Sequence, residues 1–310
     1  VNVTGVINGV VFVDNVALLE AGASTFEDSR VEMSHCDFWR NTAEFGGSFV
    51  LLRSSLTLEN SVFSDGAASV SGGFVYATRS SIAVRNVSMS SVQAETGGAV
   101  WLQRSTLEAH RLRVSNCQSS TNGGAIHGYR RSRLLCSACI FENNIAGNRG
   151  GAVSIRSNRK QRLAVQITGS TIRNNTAEYG GNPLHADLLL GSCSVVGGFH
   201  FVTAYRSIDC RRPRARCTFS VLSGTVFRRN RASQVGGAIF ANDFSAIRIN
   251  CSAQPGNQRR FYRRRQWESM DTIRSSSDVC STWTGNTADG YGMATGSYAT
   301  QVIKVIQFDA

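Results

Sequence analysis

Apolar residues recur along this chain in short alternating sets separated by polar corners, one set about every 25 residues. The last member of each set is an aromatic or aliphatic anchor: Phe12, Phe38, Phe63, Met89, Val114, Phe141, Ile172, Phe227 and Trp283. Five positions before the anchors stand Met33, Leu58, Val84, Ala109, Cys136, Ile167 and Leu222. Seven positions before them stand Val31, Leu56, Ile82, Leu107, Leu134 and Val165. A period of two inside each set predicts strands and not helices. Three residues after most anchors comes asparagine, at Asn15, Asn41, Asn144, Asn175, Asn230 and Asn286, with Gly66, Val92 and Cys117 in the middle units. A glycine pair closes each unit, as at Gly46-Gly47, Gly72-Gly73, Gly97-Gly98, Gly123-Gly124, Gly150-Gly151, Gly180-Gly181 and Gly236-Gly237.

No unit of this size buries its own apolar residues, whereas stacked units bury them against the same column above and below. The chain is therefore expected to be all-β, a single-stranded right-handed parallel β-helix of about nine coils. Residues 1–310 form one domain on this reading, with long loop insertions at 182–216 and 252–279. Each coil is expected to hold three strands, with a turn before the next glycine pair. Leu56, Ile82 and Leu107 should then touch in the interior. The asparagines can form an amide ladder at one corner.

The cleanest copies of the unit are Phe141 to Asn144 followed by Gly150-Gly151-Ala152-Val153, and Phe227 to Asn230 followed by Gly236-Gly237-Ala238-Ile239. Phe-x-x-Asn followed by Gly-Gly-Ala and an aliphatic residue resembles the repeat of the polymorphic outer membrane proteins. That resemblance implies a β-helical adhesin or surface scaffold with no catalytic residues to carry over.

Charge adds a second pattern. The net charge is +12, and of 33 basic residues only Lys160 and Lys304 are lysine. Arg53, Arg79 and Arg104, each followed by serine, fall at one expected corner a coil apart. Arg130, Arg131, Arg133 and Arg156 continue this edge, and Arg211, Arg212 and Arg214 extend it into the first insertion. Arginine pairs bidentately with carboxylate, sulfate and phosphate, so the edge is a candidate binding site for acidic or sulfated glycans or an acidic partner. The second insertion carries Arg259, Arg260, Phe261, Tyr262, Arg263, Arg264, Arg265 and Trp267. That mixture suits contact with another surface or matrix protein, or with a second copy. No nucleic-acid-binding motif accompanies the charge, and no run of apolar residues is long enough for a membrane helix. A start at Val1, without an initiator Met or leader, suggests a segment of a longer or processed chain.

Of nine cysteines, Cys117 stands in the asparagine column and the other eight divide by position. Cys36, Cys136 and Cys139 fall on inward positions and are expected to be buried thiols. Cys193, Cys210, Cys217, Cys251 and Cys280 lie in or beside the insertions and are disulfide candidates, Cys251 with Cys280 above all. Glycosylation sequons start at Asn2, Asn86, Asn174 and Asn250, with Asn86 and Asn250 expected at the same exposed corner. Disulfides and glycans together point to the secretory pathway and an extracellular or cell-surface location.

Parallel β-helices also include polysaccharide lyases and hydrolases, which need carboxylates gathered on adjacent coils. The outward columns beside the anchors never place two acids in the same column of neighbouring coils. Glu32 and Glu59 are only diagonal, Glu59 should pair with Arg85, and His110 is expected to be a surface residue. No metal-ligand spacing, cofactor motif or catalytic set emerges. The expected function is a non-enzymatic structural or interaction module of a surface protein, with binding or cleavage of acidic polysaccharide as the alternative.

Overall fold

The computed structural model describes residues 3–157, 164–177, 199–203, 217–221, 225–232, 239–241, 245–252, 282–284, 287–288, 295–297 and 301–307. All regular structure among them is parallel β, stacked as a solenoid. Each coil passes through four sheets in turn, with ten strands in sheet 1, nine in sheet 2, eight in sheet 3 and nine in sheet 4. One coil illustrates the path: Ser55–Glu59 in sheet 1, Val62–Ser64 in sheet 2, Ala67–Ser71 in sheet 3 and Val75–Thr78 in sheet 4.

The expected inward columns are the core. Ile82 is in register with Leu56 on one side and Leu107 on the other, and all three are buried. The anchor column forms a stack along the axis. Phe12 and Phe38 lie 4.9 Å apart at 7°, and Phe38 and Phe63 lie 4.3 Å apart at 13°. Phe49 meets Phe38 edge-on from sheet 4 at 4.7 Å. Offset and edge-on ring contacts of this kind add about 0.5–1.5 kcal/mol each beyond the area they bury.

Sheet 3 is a departure from the expected three strands. Its members are mostly two residues long, such as Gln93–Ala94, Gln118–Ser119 and Ile145–Ala146. A single inward residue per strand, usually alanine (Ala43, Ala68, Ala94, Ala146, Ala177, Ala232), is buried there. One small residue per coil has no periodicity to detect, so the stretch reads as a turn in sequence. A second departure is local. Val221, and not Leu222, is in register with Ile167. The corner following it is one residue longer than in the preceding coil, because Ile167 to Ile172 is five steps and Val221 to Phe227 is six.

Each corner among the described residues turns on a left-handed residue. At the sheet 3 to sheet 4 corner these are Gly46, Gly72, Gly97, Gly123 and Gly150, with φ between 61° and 70°. The second glycine of each pair meets a different demand. A Cβ on Gly98 would lie 2.0 Å from the carbonyl oxygen of Gly124 in the next coil. The pair therefore combines a φ > 0 position with a column where backbones pass too closely for any side chain.

Asn15, Asn41, Asn144, Asn175 and Asn230 stand where the amide ladder was expected, and the last four are buried. The Asn175 Oδ1 accepts from both the backbone N–H (3.0 Å) and Nδ2 (2.9 Å) of Asn144, while its own Nδ2 donates to the Phe141 carbonyl at 3.0 Å. Asn230 repeats the arrangement with Asn175 and Ile172.

The stretch expected as the first insertion contains a coil strand. Phe199–Thr203 takes the sheet 4 position beside Val153–Ser157, and Cys217–Val221 takes the sheet 1 position. Residues 178–198 and 204–216 on either side lie outside the described residues, as do 253–281 of the second insertion.

Gly98→Ala is expected to destabilise the protein by roughly 4 kcal/mol or more, since a backbone oxygen must move to admit the methyl group. Gly5→Ala, with nothing within 4 Å of the added Cβ, should change stability by less than about 0.5 kcal/mol. Urea unfolding of both variants measures the contrast.

Candidate functional site: the arginine corner

The corner between sheets 4 and 1 is built from a repeated dipeptide. Arg53, Arg79 and Arg104 are left-handed, with φ of 52°, 53° and 54°. This conformation costs an L-residue roughly 1–2 kcal/mol and throws the side chain outward. The serine that follows turns inward and is buried, at Ser54, Ser80, Ser105 and Ser132. Its hydroxyl satisfies the backbone that the corner would otherwise strand. The Ser80 Oγ accepts from the Ser54 N–H at 3.1 Å and lies within donating distance of the Thr78 carbonyl (2.9 Å) and the Leu51 carbonyl (3.2 Å). Ser54 and Ser105 repeat the pattern one coil away on each side. The serine ladder holds successive arginines in vertical register.

The guanidinium groups line an open groove of about 570 Å³ together with Asp28, Arg30 and the serine edge. Arg53 is neutralised: its Nε and Nη2 each lie 2.7 Å from an oxygen of Asp28, and Nη2 lies 2.5 Å from Glu27. The hydrogen bond and positive charge from Arg53 hold the Asp28 carboxyl below its ordinary 3.8. Arg79 and Arg104 are exposed, and neither forms an ion pair among the described residues. Arg130 and Arg131 continue the left-handed corner, with φ of 48° and 28°, and the Arg130 guanidinium lies 5.0 Å from the centre of the Tyr129 ring. Arg133 is displaced from the corner row, at the first position of the sheet 1 strand Arg133–Ser137. Arg156 belongs to a strand row, in register with Tyr129. Arg211, Arg212 and Arg214 lie outside the described residues, as does the whole of Arg259, Arg260, Phe261, Tyr262, Arg263, Arg264, Arg265 and Trp267.

The remaining candidates fall as follows. Cys36, Cys136 and Cys139 are buried free thiols, and Cys117 joins them. Burial pushes the Cys117 thiol up to about 12. Cys136 is raised by its hydrogen bond to Cys139 and by burial. The same hydrogen bond lowers Cys139, and all four thiols are packed in the interior as small apolar groups. Cys217 and Cys251 sit on the sheet 1 strands Cys217–Val221 and Ser245–Ser252, while Cys193, Cys210 and Cys280 are outside the described residues. Asn86 and Asn174 are exposed left-handed corner residues. Asn250 is not at the Asn86 corner. It lies inside Ser245–Ser252, which runs past the usual corner to pair along Gln301–Gln307. Asn2 is outside the described residues.

The carboxylates stay scattered. Glu59 pairs with Arg85 at 3.6 Å, and the exposed His110 Nδ1 lies 2.7 Å from the Ser137 hydroxyl. Sheet 3, overlooked in sequence, presents a shallow groove of about 720 Å³ floored by small residues and edged by Gln93 and Gln118. Glu95 is the one carboxylate lining it, so the paired acids of a glycoside hydrolase are not assembled there. No three His, Cys, Asp or Glu residues among those described are grouped to hold a metal ion.

Ser80→Ala strands the Ser54 N–H in the interior and should cost about 1–3 kcal/mol in urea unfolding. Arg53→Ala should return the Asp28 carboxyl toward its ordinary value. The lowered value means that this corner pair contributes to stability above the ordinary carboxylate range and loses that contribution as pH falls through the folded-state value. A carboxyl-carbon NMR titration of both proteins reads the midpoints.

Residues 138–156 match the Chlamydia polymorphic membrane protein repeat. The matched segment runs from the left-handed Ala138 through the anchor Phe141, the ladder residue Asn144 and the pair Gly150-Gly151 into sheet 4. Comparison with curated proteins and with solved structures finds no match. The chain thus carries one copy of that repeat on a parallel β-solenoid whose other coils follow the same plan.

Proposed function

We propose that this protein is a non-enzymatic interaction module displayed at a cell surface or in an extracellular coat, and that its arginine corner engages an anionic partner. The observation that carries the reading is the pair Arg79 and Arg104. They occupy the left-handed row that Asp28 opens and Arg53 continues, they line a groove, and no acid neutralises them among the described residues. Arg53 shows what the row accepts, because Asp28 and Glu27 supply carboxylate oxygens to it from one coil away. Guanidinium groups repeated about 4.8 Å apart along a straight edge favour a polymer with regularly spaced carboxylates or sulfates. Acidic or sulfated polysaccharides have that character. The repeat at 138–156 supports surface display, since the matched model describes a membrane protein. The rigid ladder supports a scaffold role, because it holds the arginines in place without a ligand.

The test is binding of the full chain to sulfated and uronic polysaccharides across a salt series. Binding should weaken steeply with salt, and Arg79→Ala with Arg104→Ala should lower affinity about tenfold or more, the size of loss expected for charge-assisted contacts. Equal binding by wild type and the double variant would sink the assignment of the corner. Release of unsaturated or reducing sugar ends during the incubation would overturn the non-enzymatic reading.

A further inference from the structure

A second basic face lies two corners further round the coil, on the variable positions between anchor and ladder asparagine, as in Phe227-Arg228-Arg229-Asn230. Its centre is Glu142, on the outward row of sheet 2, with a side chain only 5% exposed. Two guanidinium groups clamp it from opposite sides along the axis. The Arg113 Nη2 contacts Oε1 from the preceding coil, and Arg173 in the following coil places Nε and Nη2 at 2.8 Å and 2.5 Å from Oε2. Buried charge needs pairing and hydrogen bonds of this kind to persist.

Among the described residues, the next interval along the same row has the cations without the carboxylate. Arg228 is in register with Arg173, and Arg229 follows it as the left-handed corner residue at φ 51°. Both are exposed. Facing them from the neighbouring rows are Thr171, Val226, Asn174 and Thr176, together with Arg231 on sheet 3. Glu142 is the one carboxylate on these rows among the described residues from Arg113 onward. Like charges one coil apart repel, and a planar guanidinium is matched by an oxyanion accepting two of its N–H groups.

We infer that Arg173, Arg228 and Arg229 form a second oxyanion site, which takes a sulfate, phosphate or carboxylate group in the way the coil below seats Glu142. The site is separate from the sheet 4 to sheet 1 corner and does not depend on its role.

The test uses the full chain carrying Arg79→Ala and Arg104→Ala, so that the first corner is silent. Sodium sulfate is titrated against sodium chloride at constant ionic strength, with affinity read by calorimetry well below the melting temperature. Sulfate should bind, and adding Arg228→Ala with Arg229→Asn, which tolerates the left-handed corner, should weaken it at least tenfold. Glu142→Gln should tighten sulfate severalfold, because it frees the Arg173 guanidinium beside the site and removes a negative charge one coil away. A purely structural role for the arginines would not produce that gain. A sulfated hexasaccharide serves as the second arm. Tighter binding than sulfate, lost in the same variant, assigns a chain-borne group, and equal binding assigns a free anion; both support the site. Absence of sulfate binding, or affinity unchanged within twofold by the Arg228 and Arg229 substitutions, overturns it.

Discussion

Each coil has to arrive, after four strands, one strand spacing above its starting point. Everything else in the molecule follows from that closure. A parallel ladder links every strand to its neighbour in the next coil, so an error in length at any corner moves all the side chains beyond it off their columns. Among the described residues the chain meets the constraint by turning each corner on a left-handed residue, as at Arg53, Asn60, Asp65 and Gly72 in one circuit. Three of these corners point outward and accept a side chain. At the fourth the residue after the turn, Gly73, lies against the next coil, where a Cβ would stand 2.3 Å from the Gly98 carbonyl oxygen, so glycine is required there.

Closure creates a polar problem in the interior, and two side-chain ladders solve it. At the sheet 4 to sheet 1 corner each serine hydroxyl accepts an N–H of the preceding coil and lies within donating distance of a carbonyl of that coil and one of its own. At the sheet 2 to sheet 3 corner the asparagine amides do the same with both of their polar atoms. Buried polar groups without such partners would cost more than the corners could recover from apolar packing. Where the asparagine row is interrupted, Val92 fills its place with buried apolar bulk, and the N–H of Cys117 is still satisfied by the Asn144 Oδ1.

The same ladders make the outer surface a ruled lattice. Any residue type favoured at a corner is multiplied along the axis at strand spacing, so a single choice of arginine becomes a charged edge. The first coils answer that charge internally, through Asp28 and Glu27 on Arg53 and through Asp14 on Arg40. Further along, arginines outnumber the acids that reach them. The exception is Glu142, which shows how firmly this surface holds a carboxylate set between two guanidinium groups.

The amino-acid pattern was sufficient for the fold, the inward columns, the asparagine ladder, the buried thiols Cys36, Cys136 and Cys139, and the Arg53–Arg79–Arg104 edge. Each of these is a one-dimensional repeat, and a repeat of period equal to the coil is visible without coordinates. Sheet 3 was not legible, because one small inward residue per strand leaves no alternation to read. The slip from Leu222 to Val221 and the strand position of Asn250 were hidden by corners of unequal length, which only the ladder register reveals. The Arg113–Glu142–Arg173 clamp and the cations beyond it were also decided by tertiary structure. Arg113 precedes its anchor, Glu142, Arg173 and Arg228 follow theirs, Arg229 belongs to the corner row, and the coils are separated by unequal numbers of residues, so no fixed spacing along the chain joins them. Stacking brings them together because neighbours in a solenoid are set by hydrogen-bonded register and not by distance in sequence.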